Sequence, residues 1–410
     1  MNKALMIVGL CLIAVMQLSA GNSIFSYDGY PVQFFGRDIY SLGMGDTGAS
    51  DIFRPNNGYA NPALHNTSNS TMFATGIILG YTRYASQSDS LGTKKFTDNS
   101  LDFPYFSMNI PYKRHRFGFQ FNSYASGWVS NQTTFSDSLE RTNITEKQEM
   151  DRYLYRADLI YSIKLGGLSL GVSGNYYFGH ETRTFVQESN SGVFNTREKL
   201  ARSYKNPAVT FGILDSGSWY SVGMHYSPAH TLKGESQRSS IHETEPATDY
   251  EYKMPGHFSA SATFIPKKNY KIATDLTYED WTDISADYTQ SYKVGVGFAY
   301  EPAQDVYKSL LASLPLRGGV SWRKLPFKDS TDKEIDELAL SLGLTFALKR
   351  DVNRIDLGLQ YTKRGNLSVN HLSDDSVMLM VGFTGFDILS KSPDRKAPRD
   401  IPVKEDTEEW

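Results

Sequence analysis

Apolar and polar residues alternate along most of the chain after about residue 70. Every second residue is apolar in the runs 117–121, 153–163, 168–178, 220–226, 292–300, 338–346 and 355–361. Successive side chains of a β-strand point to opposite faces, so this period of two predicts strands, and helical spacing is nearly absent. The pattern therefore predicts an all-β protein.

The alternating runs add up to about fourteen strands, an even number as a closed antiparallel membrane barrel requires. They are predicted near residues 70–84, 101–111, 115–132, 150–164, 168–186, 206–214, 218–227, 255–265, 269–279, 291–301, 315–323, 335–348, 353–362 and 375–386. Most of these runs have the ~9–11 residues that a tilted strand needs to cross a bilayer. The sequence thus predicts one transmembrane antiparallel β-barrel over residues 70–387.

Short and long connections follow one another between the predicted strands. Tight turns are expected near residues 113–114, 166–167, 215–217, 267–268 and 350–352, and polar loops near 85–100, 133–149, 187–205, 228–254, 280–290, 324–334 and 363–374. Bacterial barrels place the short turns in the periplasm and the long loops outside. The connection 302–314 belongs to the short series, and the helical spacing of Val306, Leu310 and Leu314 predicts a small helix there.

A soluble propeller or a pair of β-sandwiches would also alternate, so the second face of the strands decides between the classes. That face carries glycine, serine, threonine and charges of both signs, among them Arg156, Asp158, Lys271, Asp275, Lys293, Arg317 and Asp356. A water-filled lumen accommodates such charges, whereas in a packed core each unpaired one costs several kcal/mol. The barrel with a wet lumen is therefore the preferred interpretation.

The first twenty residues have the layout of a secretory signal, with Lys3, an apolar run and the small residues Ser19 and Ala20. Cleavage after Ala20 would remove Cys11, the one cysteine of the chain, which leaves no thiol for disulfides or catalysis. The predicted location is the outer membrane of a Gram-negative-type bacterium, with both termini in the periplasm. Residues 388–410 change to a proline-containing, highly charged composition that predicts a flexible periplasmic tail.

Residues 21–69 do not alternate, although they contain apolar side chains such as Phe25, Phe34 and Phe35. A segment too irregular to face lipid can lie at barrel depth only inside the lumen, where its backbone groups can be satisfied. The sequence therefore predicts an N-terminal plug, or hatch, that fills the barrel.

Three short motifs in this segment carry a family resemblance: residues 41–45 (Ser-Leu-Gly-Met-Gly), the step from Ala49 to Asp51, and residues 61–63 (Asn-Pro-Ala). They resemble the N-terminal signature of FadL/TodX-type outer-membrane transporters and, equally, of the related PorV/PorQ-type barrels of protein secretion. The signature spans about thirty residues, and the fourteen-strand layout extends it along the chain as architecture.

The resemblance implies a hatch-plugged barrel that moves hydrophobic molecules, such as fatty acids or aromatic hydrocarbons, across the outer membrane. Ligand would bind near the hatch, hatch movement would open a path, and exit could be lateral into the bilayer. The hatch and gating residues expected on this basis are Gly43, Gly45, Asp51, Ile52, Phe53, Asn61, Pro62 and Ala63. An apolar pocket against Ile52, Phe53 and Pro62 would favour transport.

Two other functions stay open at this point. A PorV/PorQ-type barrel would act as a partner in protein secretion or outer-membrane assembly and would bind secretion-system or envelope proteins. A general porin would need an open, charged channel. For each of these functions, outer-membrane lipids are also expected as partners.

Catalysis and nucleic-acid binding find little support in the residues. The eight histidines are dispersed without the spacing of metal ligands, so no enzyme, metal or cofactor is expected. The formal net charge is −3, which is too weak to predict a nucleic-acid partner.

Overall fold

A computed structural model describes residues 23–26, 37–54, 61–67 and 71–386, apart from gaps at 89–91, 138–141, 191–194, 285–287, 303–312, 330 and 350–352. The strands are β1 (Met72–Ser88), β2 (Gly92–Asp102), β3 (Tyr105–Tyr112), β4 (His115–Asp137), β5 (Thr142–Leu165), β6 (Leu168–Ser189), β7 (Thr196–Ser216), β8 (Tyr220–Ser227), β9 (His230–Ser240), β10 (Thr248–Met254), β11 (His257–Lys267), β12 (Tyr270–Asp280), β13 (Gln290–Tyr300), β14 (Leu316–Lys328), β15 (Glu334–Lys349), β16 (Asn353–Gly365) and β17 (Leu372–Phe386). Short helical turns lie at Ile24–Ser26, Ile39–Leu42, Pro62–Thr67 and Leu367–Asn370.

The strands close into one antiparallel barrel, because β17 pairs with β1 from Met72↔Phe386 to Ser86↔Leu372. Three strands of the wall are each divided in two, and the breaks contain Pro104, Pro228 and Pro255. Proline has no N–H group for the ladder, which explains the interruptions at these positions. With each divided strand counted once, the wall has the predicted fourteen strands, so the fold prediction is confirmed.

Alternation along the strands separates an apolar outer face from a polar inner one. Leu159, Leu340 and Leu342 are 70%, 52% and 64% exposed on the outside, where a soluble protein would have polar groups. On β5 the neighbouring inward-facing residues Asp158 and Ser162 are buried. No helix in the described part of the chain is long and apolar enough to cross a membrane.

The predicted long loops are the main error of the sequence-based description of the wall. Most residues of 85–100, 133–149, 187–205 and 228–254 belong to strands, which run on past the expected membrane zone. Strands β4 to β7 have 23, 24, 22 and 21 residues, whereas β11, β12 and β13 have 11 each. We call these upper parts of β4 to β7, together with β9 and β10, the tall wall. Apart from a few buried inward-facing residues such as Tyr204 and Leu232, they are mainly polar on both faces, so they lack the apolar period that predicted the other strands.

Some expectations fall on residues outside the described ranges. These are the signal peptide at 1–20, most of the predicted helix at 302–314, and the tail at 388–410. Within the predicted hatch segment the structure describes residues 23–26, 37–54 and 61–67, and "hatch" below means 37–54 and 61–67.

Candidate functional site

The hatch begins with a single helical turn, Ile39–Leu42, that is buried on every side. Asp38 caps this turn, because its carboxylate accepts a hydrogen bond from the Ser41 N–H at 2.8 Å. Two residues after the C-cap of this helical turn, Gly45 has a φ of +72°, a backbone conformation that residues with a Cβ rarely adopt. The Gly-rich motif therefore makes the sharp turn that sends the chain back along the wall.

One group of ion pairs fixes the hatch to strands β12 and β13. Asp275 of β12 binds the Arg37 guanidinium and accepts hydrogen bonds from the backbone N–H groups of Gly48 and Ala49 at 3.2 and 3.1 Å. Lys293 of β13 pairs with Asp46, which also lies 3.4 Å from Arg37. All four charged side chains are at least 90% buried. The hatch backbone and the wall thus share one charge network.

A second group connects the interior of the hatch to the same wall. Arg54 binds Asp38, with a Nη2 to Oδ1 distance of 3.0 Å, and Asp51, whose Oδ2 lies 3.2 Å from Nε. Lys271 of β12 reaches the same Asp51 oxygen at 2.9 Å. Burial alone would raise the pKa of Asp38, but the charge and hydrogen bonds of Arg54 outweigh it and hold that pKa below its usual value.

Tyr40 lies between two arginines at the centre of this arrangement. The guanidinium of Arg54 is 4.2 Å from the ring centroid, and that of Arg317, on β14, is 4.3 Å from it. The Tyr40 hydroxyl donates to Glu301. Planar cations stack well on aromatic faces, so Tyr40 links the hatch arginine to the wall arginine without an opposite charge between them.

Glycines of the wall face inward where the hatch backbone lies against it. A Cβ on Gly297 would collide with the Met44 carbonyl oxygen, and one on Gly171 would collide with the backbone of Pro62 and Ala63. Further wall glycines in contact with the hatch are Gly76, Gly212, Gly295, Gly319, Gly358 and Gly382. The glycines that alternate with apolar residues in the sequence therefore form a smooth seat for the hatch.

The second predicted motif, Asn61 to Ala63, holds the other end of the hatch. The Asn61 amide is 3.4 Å from the carbonyl oxygens of Ile213 and Met224, and its own oxygen accepts from the Ala63 N–H at 3.0 Å. Ile52 packs on a small apolar cluster of Ala63, Leu64 and Leu214. The motif thus ties two neighbouring strands to the hatch.

The predicted hatch residues are all in or beside this contact zone, but the cavity that the described residues form against Pro62 is not a large apolar pocket. Pro62 lines a cavity of about 30 Å³ whose other walls include Gln120, Arg156, Asp158, Asn175, His225 and His257. A space of this size holds water rather than a hydrocarbon. The structure therefore offers a polar, nearly filled interior at the place where an apolar pocket was expected.

The wet lumen is the second expectation that the structure corrects. Asp158, Lys271, Asp275, Lys293, Arg317 and Asp356 are buried, and partners from the hatch or from neighbouring strands satisfy them. Sequence reasoning placed these charges on the inner face correctly but took water as their partner. It also missed Arg37, Asp38, Asp46 and Arg54, although the presence of matching charges ahead of the barrel was a usable signal.

Above the hatch the interior is closed by aromatic and apolar side chains. Tyr124, Tyr177, Tyr204 and Trp281 form one buried cluster with Leu154, Leu232 and Met254. Phe25 packs on Leu325, Phe327 and Ile335 in a second cluster, and Tyr288 packs against both clusters. The histidines are less dispersed than the sequence indicates, since His225 stacks on His257 with ring centroids 5.3 Å apart. His257 lies 2.9 Å from Glu279, and no group of described residues could hold a metal ion.

One section of the wall is not continuous within the described residues. β3 pairs with β4 up to Asn122, but β2, which continues the same wall strand upwards, pairs only with β1. A cavity of about 680 Å³ separates β2 from the upper part of β4, and Tyr84, Phe96, Trp128 and Val129 line it together with Lys94, Lys95 and the polar residues 130–133. We call this space the wall slot.

The chain has the closed-barrel fold of FadL-type outer-membrane proteins, with the hatch residues packed against the inner face of the wall. The family model for BamG matches residues 1–387, and the chain belongs to the BamG family. No curated protein matches the sequence.

Several solved transporters share this architecture at low sequence identity. The toluene transporter TodX of Pseudomonas putida is 14% identical, with 86% of this chain and 99% of that chain covered and a TM-score of 0.60. The toluene transporter TbuX of Ralstonia pickettii is also 14% identical, with 86% and 98% covered and a TM-score of 0.59. A FadL homologue of Pseudomonas aeruginosa is 11% identical, with 87% and 99% covered and a TM-score of 0.60. Such similarity shows the fold alone.

Proposed function

We propose that this chain is a permanently plugged barrel that acts as a partner protein in outer-membrane assembly or protein secretion. The observation that carries the proposal is the attachment of the hatch, whose buried charges are paired with wall residues Lys271, Asp275 and Lys293. The short turns would then face the periplasm, with both termini, and the tall wall would face outwards.

Energetics favour a hatch that stays in place. Removing one partner of a buried ion pair typically costs about 3–5 kcal/mol, because the other charge is left without compensation. Moving the hatch would expose several such charges at once, together with the backbone groups that Asp275 and Asn61 bind. A conduit that opens at every passage would have to supply this free energy each time.

The interior gives the same indication. Sites for small ligands usually have volumes of about 300–1,000 Å³ and are mostly apolar. The cavity beside Pro62 has about 30 Å³ and is lined by side chains such as Arg156 and Asp158. If the interior of the barrel only holds the hatch, the function must lie on the outer surfaces. The tall wall is the largest of these surfaces.

Transport of hydrophobic molecules is the second candidate, and the fold shared with TodX and TbuX favours it. The wall slot, with Phe96 and Trp128 in its lining, would be its entrance from the outside. A general porin is the weakest candidate, because hatch residues such as Ile39, Tyr40 and Met44 are buried inside the barrel, where a porin has its channel. We expect conductance well below that of an open porin in planar bilayers.

A disulfide between hatch and wall separates the first two candidates. The Ser50 and Thr263 hydroxyl oxygens lie 3.2 Å apart, so Ser50→Cys with Thr263→Cys should bridge the hatch to β11. Cys11 is the only natural cysteine and lies in the predicted signal peptide, so the predicted cleavage would leave the new pair without a competitor. If the barrel is a partner protein, the locked variant should restore envelope integrity and outer-membrane protein levels in a deletion strain.

Uptake of toluene, alkanes and fatty acids provides the opposite readout in the same strains. Loss of both uptake and complementation in the locked variant, with recovery on reduction, would contradict the proposal and support transport. The matched control is Thr82→Cys with Ser376→Cys, whose hydroxyl oxygens are 2.9 Å apart and which joins β1 to β17 without involving a hatch residue.

A further inference from the structure

The upper part of β4 is an edge strand within an otherwise closed wall. Below Asn122 it has β3 on one side and β5 on the other, but from Ala125 to Asp137 it pairs with β5 alone among the described residues. In an antiparallel strand the N–H and C=O groups point alternately to the two sides. About half of the backbone groups of residues 128–135 therefore point into the wall slot.

The sequence of this edge has none of the usual protection against strand addition. Residues 128–135 read Trp-Val-Ser-Asn-Gln-Thr-Thr-Phe, without a charge or a proline. β10, whose second edge also has no strand partner in the described residues, carries Asp249, Glu251 and Lys253. Proteins normally blunt free edges with charges, prolines or bulges. This contrast between the edges of β4 and β10 indicates that the β4 edge is the one to which a strand can add.

The slot beside this edge has the size and chemistry for a peptide. Its volume is about 680 Å³, and the residues that β4 presents to it, Ser130 to Thr133, offer hydroxyl and amide groups. On the other side β2 contributes Lys94 and Lys95, both exposed, and Asp98, while Ile24 lines one end. An occupant that carries a carboxylate opposite the lysines fits this lining.

We propose that residues 128–135 of β4 are an acceptor edge to which an extended segment of a partner polypeptide adds as a further strand, with an acidic side chain towards Lys94. Backbone hydrogen bonds to β4 give the affinity, and the β2 lysines give the preference for acid. The inference rests on the proposed function and names its binding site. The side chains that reach the slot from β4 are mostly polar, and for this reason an extended peptide fits better than a hydrocarbon.

The test uses the purified full-length barrel and a short synthetic peptide of alternating threonine and valine with one central glutamate. The peptide should bind, and amide hydrogen exchange of residues 128–135 should slow, while exchange of the two-sided strand β6 stays unchanged. The same peptide with alternate amides N-methylated should not bind, because it cannot form the ladder. This pair of probes separates strand addition from adsorption by side chains.

Charge exchange tests the orientation. Lys94→Glu should lower the affinity for the glutamate peptide about fivefold. It should raise the affinity for the same peptide with lysine in place of glutamate by a similar factor, as expected for one exposed ion pair. Lys199→Glu is the matched control, since this exposed lysine lies on β7, which is paired on both sides. It should leave the affinity for both peptides unchanged.

Three results would overturn the inference: no binding at millimolar peptide, binding without slower exchange on β4, or complete protection of residues 128–135 before peptide is added. The last would mean that the chain covers this edge itself. The outcome of the hatch-locking experiment does not depend on any of these results. Failure of the strand site and failure of the proposed function can therefore be distinguished.

Discussion

The lower and upper parts of the long strands β4 to β7 follow different physical rules. In the lower part the outward-facing residues are apolar because they meet lipid. The inward-facing residues fit the hatch: Asp158 is buried there, and Gly171 lies against the hatch backbone. In the upper part most side chains on both faces are polar, and the strands are held by their ladders together with a buried cluster that includes Tyr204 and Leu232. The same strand is thus specified by side chains below and by backbone pairing above.

Ion pairs show the difference most directly. Around the hatch, Arg37 and Asp275 are each 97% buried, whereas in the tall wall Lys233 and Glu251 are 67% and 60% exposed. Buried pairs are costly to break, and exposed ones contribute little. The comparison therefore predicts large effects for the hatch pairs and small ones for the exposed pairs of the tall wall, where Arg152 and Glu181 form the buried exception.

The largest effect is expected for Asp275→Asn. The change removes the charge that faces Arg37 and weakens the hydrogen bonds from Gly48 and Ala49, so the free energy of hatch opening should fall by about 3 kcal/mol. Hydrogen exchange of residues 37–54 measures this opening directly.

Asp215→Asn is the control for that experiment. Asp215 lies on the exposed end of β7, where it accepts only from the Tyr220 hydroxyl at 3.2 Å. Its substitution should leave hatch exchange unchanged. Equal exchange in both variants would show that the ion pair does not hold the hatch.

A smaller effect is expected where the wall glycines meet the hatch. Gly171→Ala places a Cβ against the backbone of Pro62 and Ala63 and should lower the free energy of hatch opening by about 1–3 kcal/mol. Gly174, three residues further along β6, has nothing within 4 Å of its Cβ position. Gly174→Ala should therefore have no effect on hatch exchange, and a similar loss in both variants would refute a close seat.

The fold of the lower part was predictable because lipid leaves a strong periodic signal. Runs such as residues 292–300 alternate over the whole thickness of the membrane, and all fourteen wall strands were placed. The hatch motif was recognisable for a different reason, since the positive φ of Gly45 at the turn favours glycine.

The tall wall and the pairing of charges were not predictable in the same way. Residues 196–205 have no apolar period, because most of their side chains are polar and exposed or half-buried, and the ladders with β6 and β9 order them. Likewise, the sequence indicates that Lys293 faces inwards but not that Asp46, about 250 residues earlier, is its partner. Such long-range partners follow from the closure of the barrel, which no local pattern encodes.

Acid should loosen the hatch before it affects the wall strands. The pKa of Asp38 lies below its ordinary 3.8 because Arg54 outweighs the effect of burial, so this pair stabilises the hatch above that pH. The stabilisation is lost as the pH falls from 3.8 through the lowered pKa. Hydrogen exchange of residues 38–42 between pH 3 and neutrality should show this loss, and Asp38→Asn should remove most of it. An unchanged profile in the variant would assign the acid sensitivity to other carboxylates.

The smallest effect is expected in the tall wall. Lys233 and Glu251 lie 3.5 Å apart on β9 and β10, and both are well exposed, so Glu251→Gln should change the stability of this hairpin by less than about 0.5 kcal/mol. Hydrogen exchange of residues 248–254 at low and high salt measures this stability. The exchange should depend little on salt in the wild type and in the variant. A loss as large as that of Asp275→Asn would mean that charge pairs, and not the ladder, organise the upper part of the wall. The division of these strands into two regimes would then be wrong.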